Sequence, residues 1–484
     1  MSSSAPPGGS APGPNAVASD VPGAAGITNI ATNIATNPVT NVATSSQTAR
    51  QRTLSAPPIG LDVRTSQALA TVAAQMRPSP REVQEVDSDE IGFVLELARA
   101  LHRYGTPAHR LEEAIDVVCR RLELAVEVFS TPTTIIMSFG NPAELRTRMM
   151  RVETGELNMS KLAAVDELAD AVVAQQISAG DGITRLAEIM GRAPQFGPLA
   201  TLAANGVSAG GLAVFFGGGW REVVAAAAIG LLLGLLRIVV HLTTERAHMF
   251  ELLGATVAAF VAAAATRALH PLSPSLVTIA SLIVLLPGMP LTVAMTELAT
   301  KNLISGTARL MSSLIVLLEL VVGVALGERV AAALWKVPHL KPVVLGEYAQ
   351  WIALLCSAVA VAVVAKARPR VFGWIILACA VGYIGTRYGS RWLGPQLGVL
   401  VGALALGCLG NLYARLLRRT AQVVLVPAVL LLVPGSLGFR GMNAMLARDT
   451  VSGVDTMFAM FISATALVGG LLLANAVVSP RRVL

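Results

Sequence analysis

Between Ser281 and Leu310 an apolar run is cut by Pro287-Gly288 and then turns polar. Thr292, Thr296, Glu297, Lys301, Asn302, Ser305 and Gly306 follow in quick succession. Such groups suit holding a small charged molecule better than breaking a covalent bond. Hydroxyls and an amide supply neutral hydrogen bonds, and a carboxyl can carry a proton or balance an ammonium. The pattern is written twice. Pro434-Gly435 stands 147 residues after Pro287-Gly288, and Ser452-Gly453 stands 147 residues after Ser305-Gly306. Asn443, Asp449 and Asp455 supply the polar groups of the second copy.

Positioning these groups requires broken helices. Proline removes a backbone donor and clashes with the preceding turn. In lipid an interrupted helix survives only where it is buried in protein or lines a wet cavity. There a half-helix N-terminus offers free N–H groups to a carboxylate, and freed carbonyls hold a cation. The plain alternative is a kink in a packed helix, and the matched pair favours a site. The candidate substrate-binding residues are Pro287, Gly288, Thr292, Thr296, Asn302, Ser305, Gly306, Pro434, Gly435 and Asn443. The candidate proton carriers are Glu297, Asp449, Asp455 and Glu319, the last inside the apolar run LIVLLELVVG. Ionisable groups in spans are costly and therefore suggestive; the alternative for each is a charge reaching the interface. Lys301, Arg309 and Arg448 are the basic partners at hand.

Composition sets the class. The chain has 484 residues, 54% of them hydrophobic and 14% charged, with a mean hydropathy of +0.64. This is a polytopic α-helical membrane protein by composition. The net charge of +7 comes without a basic stripe interleaved with aromatics, so nucleic-acid binding is not expected. Three of the four cysteines sit in apolar runs and none forms a CxxC pair, so neither a disulfide framework nor a metal site is expected, and no cofactor. The start of the chain lacks a basic stretch followed by an apolar core, so no cleavable signal peptide is expected.

Along the chain, residues 1–80 form a Ser/Ala/Pro/Gly-rich tail expected to be disordered. Residues 87–192 predict a small α+β domain. Its helices are expected at Ile91–Tyr104, from Thr106-Pro107 onward with Thr106 as cap, at Lys161–Gln176 and at Ile183–Met190. Its strands are expected at Leu124–Phe129, Thr133–Ser138 and Leu145–Val152. Its densest polar groups are His109-Arg110, Glu112-Glu113 and Thr131-Pro132-Thr133, read as structural or regulatory. About ten spans follow, five in residues 197–330 and five in 348–480. An odd number per copy inserts consecutive copies in opposite directions, giving two inverted five-span repeats. Basic clusters at Lys366–Arg370 and Arg415–Arg419 put the α+β domain and both termini in the cytoplasm by the positive-inside rule. Trp220, Trp335, Trp351 and Trp392 then fall on the opposite side as an interfacial belt.

The stretches GTPAHRLEEAI (105–115), FSTPTT (129–134), LLPGMPLTVAMTELATKNLISGTARL (285–310) and LVPGSLGFRGM (432–442) resemble the threonine/serine exporter family over residues 90–478. The resemblance implies a secondary exporter of threonine and serine in the inner membrane, driven by the proton-motive force, in the form that fuses both units. Its partners are then the amino-acid substrate, protons and the bilayer, with a second copy of the chain as a further candidate. The family pattern implies an acidic residue after each Pro-Gly. Glu297 fits the first, whereas the matching position of the second copy is Ala444, with Asp449 five residues on. Rival readings are a dicarboxylate exporter, a membrane-anchored hydrolase acting through the hydrolase-like N-terminal domain, and a sensor anchored by its spans.

Overall fold

The computed structural model describes residues 89–140, 145–153, 155, 157–241, 250–337, 342–432 and 435–479. All of them lie in one unit, Val86–Leu484. The expected tail and Pro434 fall outside the described residues.

The α+β portion comes first: α1 (Asp89–Arg103), α2 (Ala108–Arg121), β1 (Val126–Ser130), β2 (Thr134–Phe139), β3 (Arg146–Arg151), α3 (Met159–Val173) and α4 (Ala179–Gly191). The strands pair antiparallel in the order β1-β2-β3. β2 alternates, burying Ile135, Met137 and Phe139. Every predicted element is present within a few residues. One detail differs. The α2 helix begins at Ala108, so Pro107 takes the cap position without a side-chain bond, and the Thr106 hydroxyl is buried with no partner. The amides that open α2 therefore need an acceptor from elsewhere.

The helical portion follows: α5 (Pro198–Phe215), α6 (Trp220–His241), α7 (Phe250–Ala265), α8 (Pro274–Ser281), a 3-10 turn (Leu282–Val284), α9 (Gly288–Ala299), α10 (Leu303–Leu334), α11 (Glu347–Val364), α12 (Phe372–Leu417), α13 (Gln422–Leu432), α14 (Gly435–Leu446) and α15 (Thr450–Val477). Among the described residues seven helices are long and apolar enough to cross a membrane, or eight if the bent pair Pro274–Val284 and Gly288–Ala299 is one span. The chain is a polytopic helical membrane protein. On α10 the exposed large side chains Ile304, Met311, Ile315, Leu318, Val322 and Leu326 recur every three to seven residues. A continuous apolar stripe on the outside suits lipid rather than water.

α12 is two helices. Its 46 residues would span roughly 70 Å at about 1.5 Å per residue, more than twice the ~30 Å hydrocarbon core. At Gly394 the backbone turns through φ 83°, ψ 166°, just before Pro395. The arms fold back on each other, so that a Cβ built on Gly385 would stand 2.9 Å from Gly402 Cα.

Helix bounds repeat at the interval read from the two Pro-Gly pairs. Gly288–Ala299 and Gly435–Leu446 are 147 residues apart at both ends, as are the starts of α10 and α15. Lys301 and Arg448, also 147 apart, both take left-handed backbone, φ 67° and 66°. Packing repeats as well. Gly323 of α10 lies against α7, where a Cβ would stand 2.4 Å from the Leu252 carbonyl. At Gly470 of α15, 147 residues on, a Cβ would stand 2.5 Å from the Leu400 carbonyl in the second arm of α12.

Two apolar cores result. One is built from α5–α8 and α10 and takes in Phe439 of α14. The other runs without interruption from the α+β portion into α11, α12, α13 and α15.

Candidate functional site

The two breaks meet. A Cβ built on Gly435 would stand 3.3 Å from Gly288 Cα and 3.5 Å from Gly288 N. Only glycine permits backbones to approach this closely. The N-termini of α9 and α14 thus touch tip to tip, with Gly288 and Gly435 both buried. Each helix leaves that contact and ends at a turn made by its left-handed basic residue, Lys301 or Arg448.

The threonines of the first break form a ladder on one face of α9. Thr292 donates to the Gly288 carbonyl at 3.1 Å, Thr296 to Thr292 at 2.9 Å and Thr300 to Thr296 at 3.0 Å. Their donors are spent on their own helix, which leaves oxygen lone pairs and methyl groups facing outward.

Glu297 is fully buried and collects donors from three directions. Ser305 Oγ donates to Oε2 at 2.8 Å. Arg309 Nε lies 3.2 Å from Oε1 and 3.1 Å from Oε2, with the arginine side chain only 12% exposed. The third donor is the backbone N–H of Ala108, 2.9 Å from Oε1. Glu297 is therefore the missing cap of α2, supplied from 189 residues away. A carboxylate at a helix N-terminus meets both unsatisfied N–H groups and the positive end of the dipole. Charge-assisted bonds of this kind are about twice as strong as neutral ones.

The same dock has a second carboxylate. Glu112 of α2 accepts from Asn302 Nδ2 at 3.1 Å and from the Ser130 amide at 2.9 Å. Burial pushes its carboxyl above the ordinary range; the Ser130 and Asn302 bonds oppose that, and the nearby Glu297 charge adds to it. His109 beside it is held down to about 4 by burial and then by Arg110, so it is neutral at physiological pH. A third contact is end to end. The first amides of α3, Met159 and Ser160, donate to the Ala365 and Lys366 carbonyls at the C-terminal end of α11, at 2.9 and 3.2 Å. Opposite dipole ends are brought together there. Glu167 on α3 also pairs with Arg368 at 2.9 Å and with Arg419. The α+β portion is thus tied both to the first break and to helices of the second half. The Thr131 hydroxyl, by contrast, closes a turn to Thr134.

The remaining predicted residues are dispersed. Gly306 packs against Leu298. Asp449 caps α15 through the Ser452 amide at 3.2 Å and is exposed, as is Asp455. Glu319 is half-buried along α10. Asn443 lines a cavity of about 370 Å³ with Ser275, Thr278, Glu328 and Ala447. A cavity of about 320 Å³ is lined by the positions 147 residues away: Thr296, Thr300, Gln422, Leu425 and Asn475. Pro107, His109, Arg110 and Glu113 of the α+β portion also border this second cavity. Sequence reasoning missed Glu112 and the α2 amide as partners of the break. No signal in the sequence pointed to this pairing, because Thr106 stood as the apparent cap of α2.

Comparison with known proteins adds the following. Residues 92–331 match the family model ThrE, and residues 350–477 match ThrE_2, both described as threonine/serine exporters. Pheromone-regulated membrane protein 10 of Eremothecium gossypii is 26% identical over 386 residues, 75% of this chain and 52% of that protein. The protein of the same name in Pichia sorbitophila is 25% identical over 362 residues, 71% of this chain and 36% of that protein. An uncharacterized protein of Schizosaccharomyces pombe is 24% identical over 384 residues, 76% of this chain and 46% of that protein. The chain spans a third to a half of the length of these relatives. No solved structure matches.

Proposed function

The chain belongs to the threonine/serine exporter family, and on that premise we propose that it exports threonine and serine across the inner membrane by proton antiport. The architecture is ten spans in two inverted five-span repeats, residues 197–330 and 348–480, with the α+β domain of residues 87–192 and both termini in the cytoplasm. The ten are α5, α6, α7, the bent pair α8–α9, α10, α11, the two arms of α12, the pair α13–α14, and α15. The observation that carries the reading is the pair of cavities built from the same positions of the two copies. If the copies are inverted about the touching breaks, those cavities open on opposite faces. Alternating access is then an exchange of shape between two equivalent halves.

The α+β domain is the inner gate in this scheme. It borders one cavity of the pair and is tied to both halves, so the halves rock only as the Glu297 and α3–α11 contacts permit. Proton coupling belongs with the Glu297–Glu112 pair of carboxyls, close enough for the Glu297 charge to weigh on Glu112. The test is efflux of radiolabelled threonine from loaded cells. Expression of the chain is expected to speed efflux, and collapse of the proton gradient to abolish the gain. Efflux indifferent to both would refute the reading.

A further inference from the structure

A third cavity, of about 510 Å³, lies among α5, α11, α12 and the two breaks. Ile283 and Leu430, the same position of each copy, both line it, and so does Ser436 in the first turn of α14. We propose that this cavity is a binding site for the carboxylate of the transported molecule, with Arg387 as the group that receives it. The proposal deepens the exporter reading and rests on it for the ligand's identity.

Three observations support it. First, Ser208, Ser357 and Thr386 border the cavity, and their buried hydroxyls have no hydrogen-bond partner among the described residues; those of Ser357 and Thr386 are turned against Gly211 and Gly402. Ser357 is only 2% exposed. Buried hydroxyls are rarely left unsatisfied, and a change of rotamer toward the cavity would give these three a polar guest as partner. Second, Arg387 is held in place from one side. Its Nη1 donates to Gln350 Oε1 at 3.0 Å and to Tyr383 Oη at 3.4 Å, and Tyr383 donates to the same Gln350 oxygen at 3.1 Å. Tyr383 is itself fixed by Phe215 and Trp351, with ring centroids 5.6 and 5.9 Å away. Third, the Nη2 edge is paired with Glu347, whose side chain is 76% exposed while that of Arg387 is 31% exposed. A solvated ion pair is weak. An incoming carboxylate can displace Glu347 and take the guanidinium fork in two parallel bonds. The volume is in the range of small-metabolite sites.

The test is calorimetric titration of the purified full chain in lipid nanodiscs with L-serine, L-serinamide and succinate. Serinamide, which lacks the carboxylate, is expected to bind at least tenfold more weakly than serine. Arg387→Gln is expected to erase that difference, and Arg387→Lys to retain part of it. Glu347→Gln alters an exposed side chain and removes the competitor, so carboxylate binding is expected to tighten severalfold. Unchanged or weaker binding in Glu347→Gln, or wild-type affinity in Arg387→Gln, would overturn the site while leaving the exporter reading intact if efflux persists. Arg387-dependent binding of succinate with none of serine would keep the site and remove threonine and serine as the substrates.

Discussion

The two breaks share a backbone and differ in almost everything attached to it. α9 and α14 start and stop at matching positions, are followed by the same left-handed turn, and touch at Gly288 and Gly435. Yet the first holds a buried carboxylate with three donors, and the second has Ala444 at that position and an exposed Asp449 that caps only its own helix. The first break is locked to the α+β portion, and no described contact of that kind holds the second. In the proposed exchange of shape between halves, a side-chain difference at equivalent positions would make one shape the resting one, and Glu297 with what it caps is such a difference.

Substitutions can break the comparison. The largest effect is expected from Glu297→Ala, which strands the buried Arg309 guanidinium and the α2 amide. Removing one partner of a buried pair costs about 3–5 kcal/mol, visible as a lower unfolding midpoint in detergent and as new protease sensitivity in the α+β portion. A midpoint equal to wild type would show that the carboxylate is not the clasp. Next comes Gly435→Val, which sets a branched side chain into the 3.3 Å contact with Gly288. Overpacking of this kind costs about 1–3 kcal/mol, and threonine efflux should fall more than stability does if the touching tips are the pivot. Asp449→Ala is the counterpart of the first test in the second copy. Loss of a cap costs about 1 kcal/mol; a loss as large as that of Glu297→Ala would mean that the two breaks are equivalent after all.

The smallest effect sharpens the contrast through pH. The Glu112 carboxyl is raised in the docked state, so between its ordinary value and the raised one the docked form holds a proton that the released form has lost. Docking therefore strengthens as pH falls through that window and weakens as pH rises through it. Spin labels on α2 and α10 should report a narrower distance distribution at pH 5 than at pH 7.5, and Glu112→Gln should flatten the change. His109, held down to about 4, takes no part above pH 5. A distribution that broadens on acidification would overturn the part given to Glu112.

Much of this was legible in the chain itself. The strands of the α+β portion follow from alternation, as in Thr134–Phe139, and the helix ends near the breaks follow from Pro-Gly. The reversal at Gly394-Pro395 was legible from length, since an apolar stretch of that size cannot remain straight in a bilayer. The threonines were less so. Their types suggested donors for a ligand, but at a spacing of four on a helix the nearest acceptor is the carbonyl one turn back. Arg387 carried no signal, being one of two arginines in the polar stretch GTRYGSR between apolar runs.

What sequence alone determined is local and covalent. Proline cannot donate, glycine has no Cβ, and the Pro-Gly and Ser-Gly pairs recur 147 residues apart whatever their surroundings. What only the tertiary structure decided is which group answers which. Glu297 meets the amide of Ala108, Asn302 meets Glu112, and Gly288 meets Gly435. A buried donor or acceptor must be paired, but nothing in its neighbours along the chain says by whom. That choice belongs to the packing of helices more than a hundred residues apart.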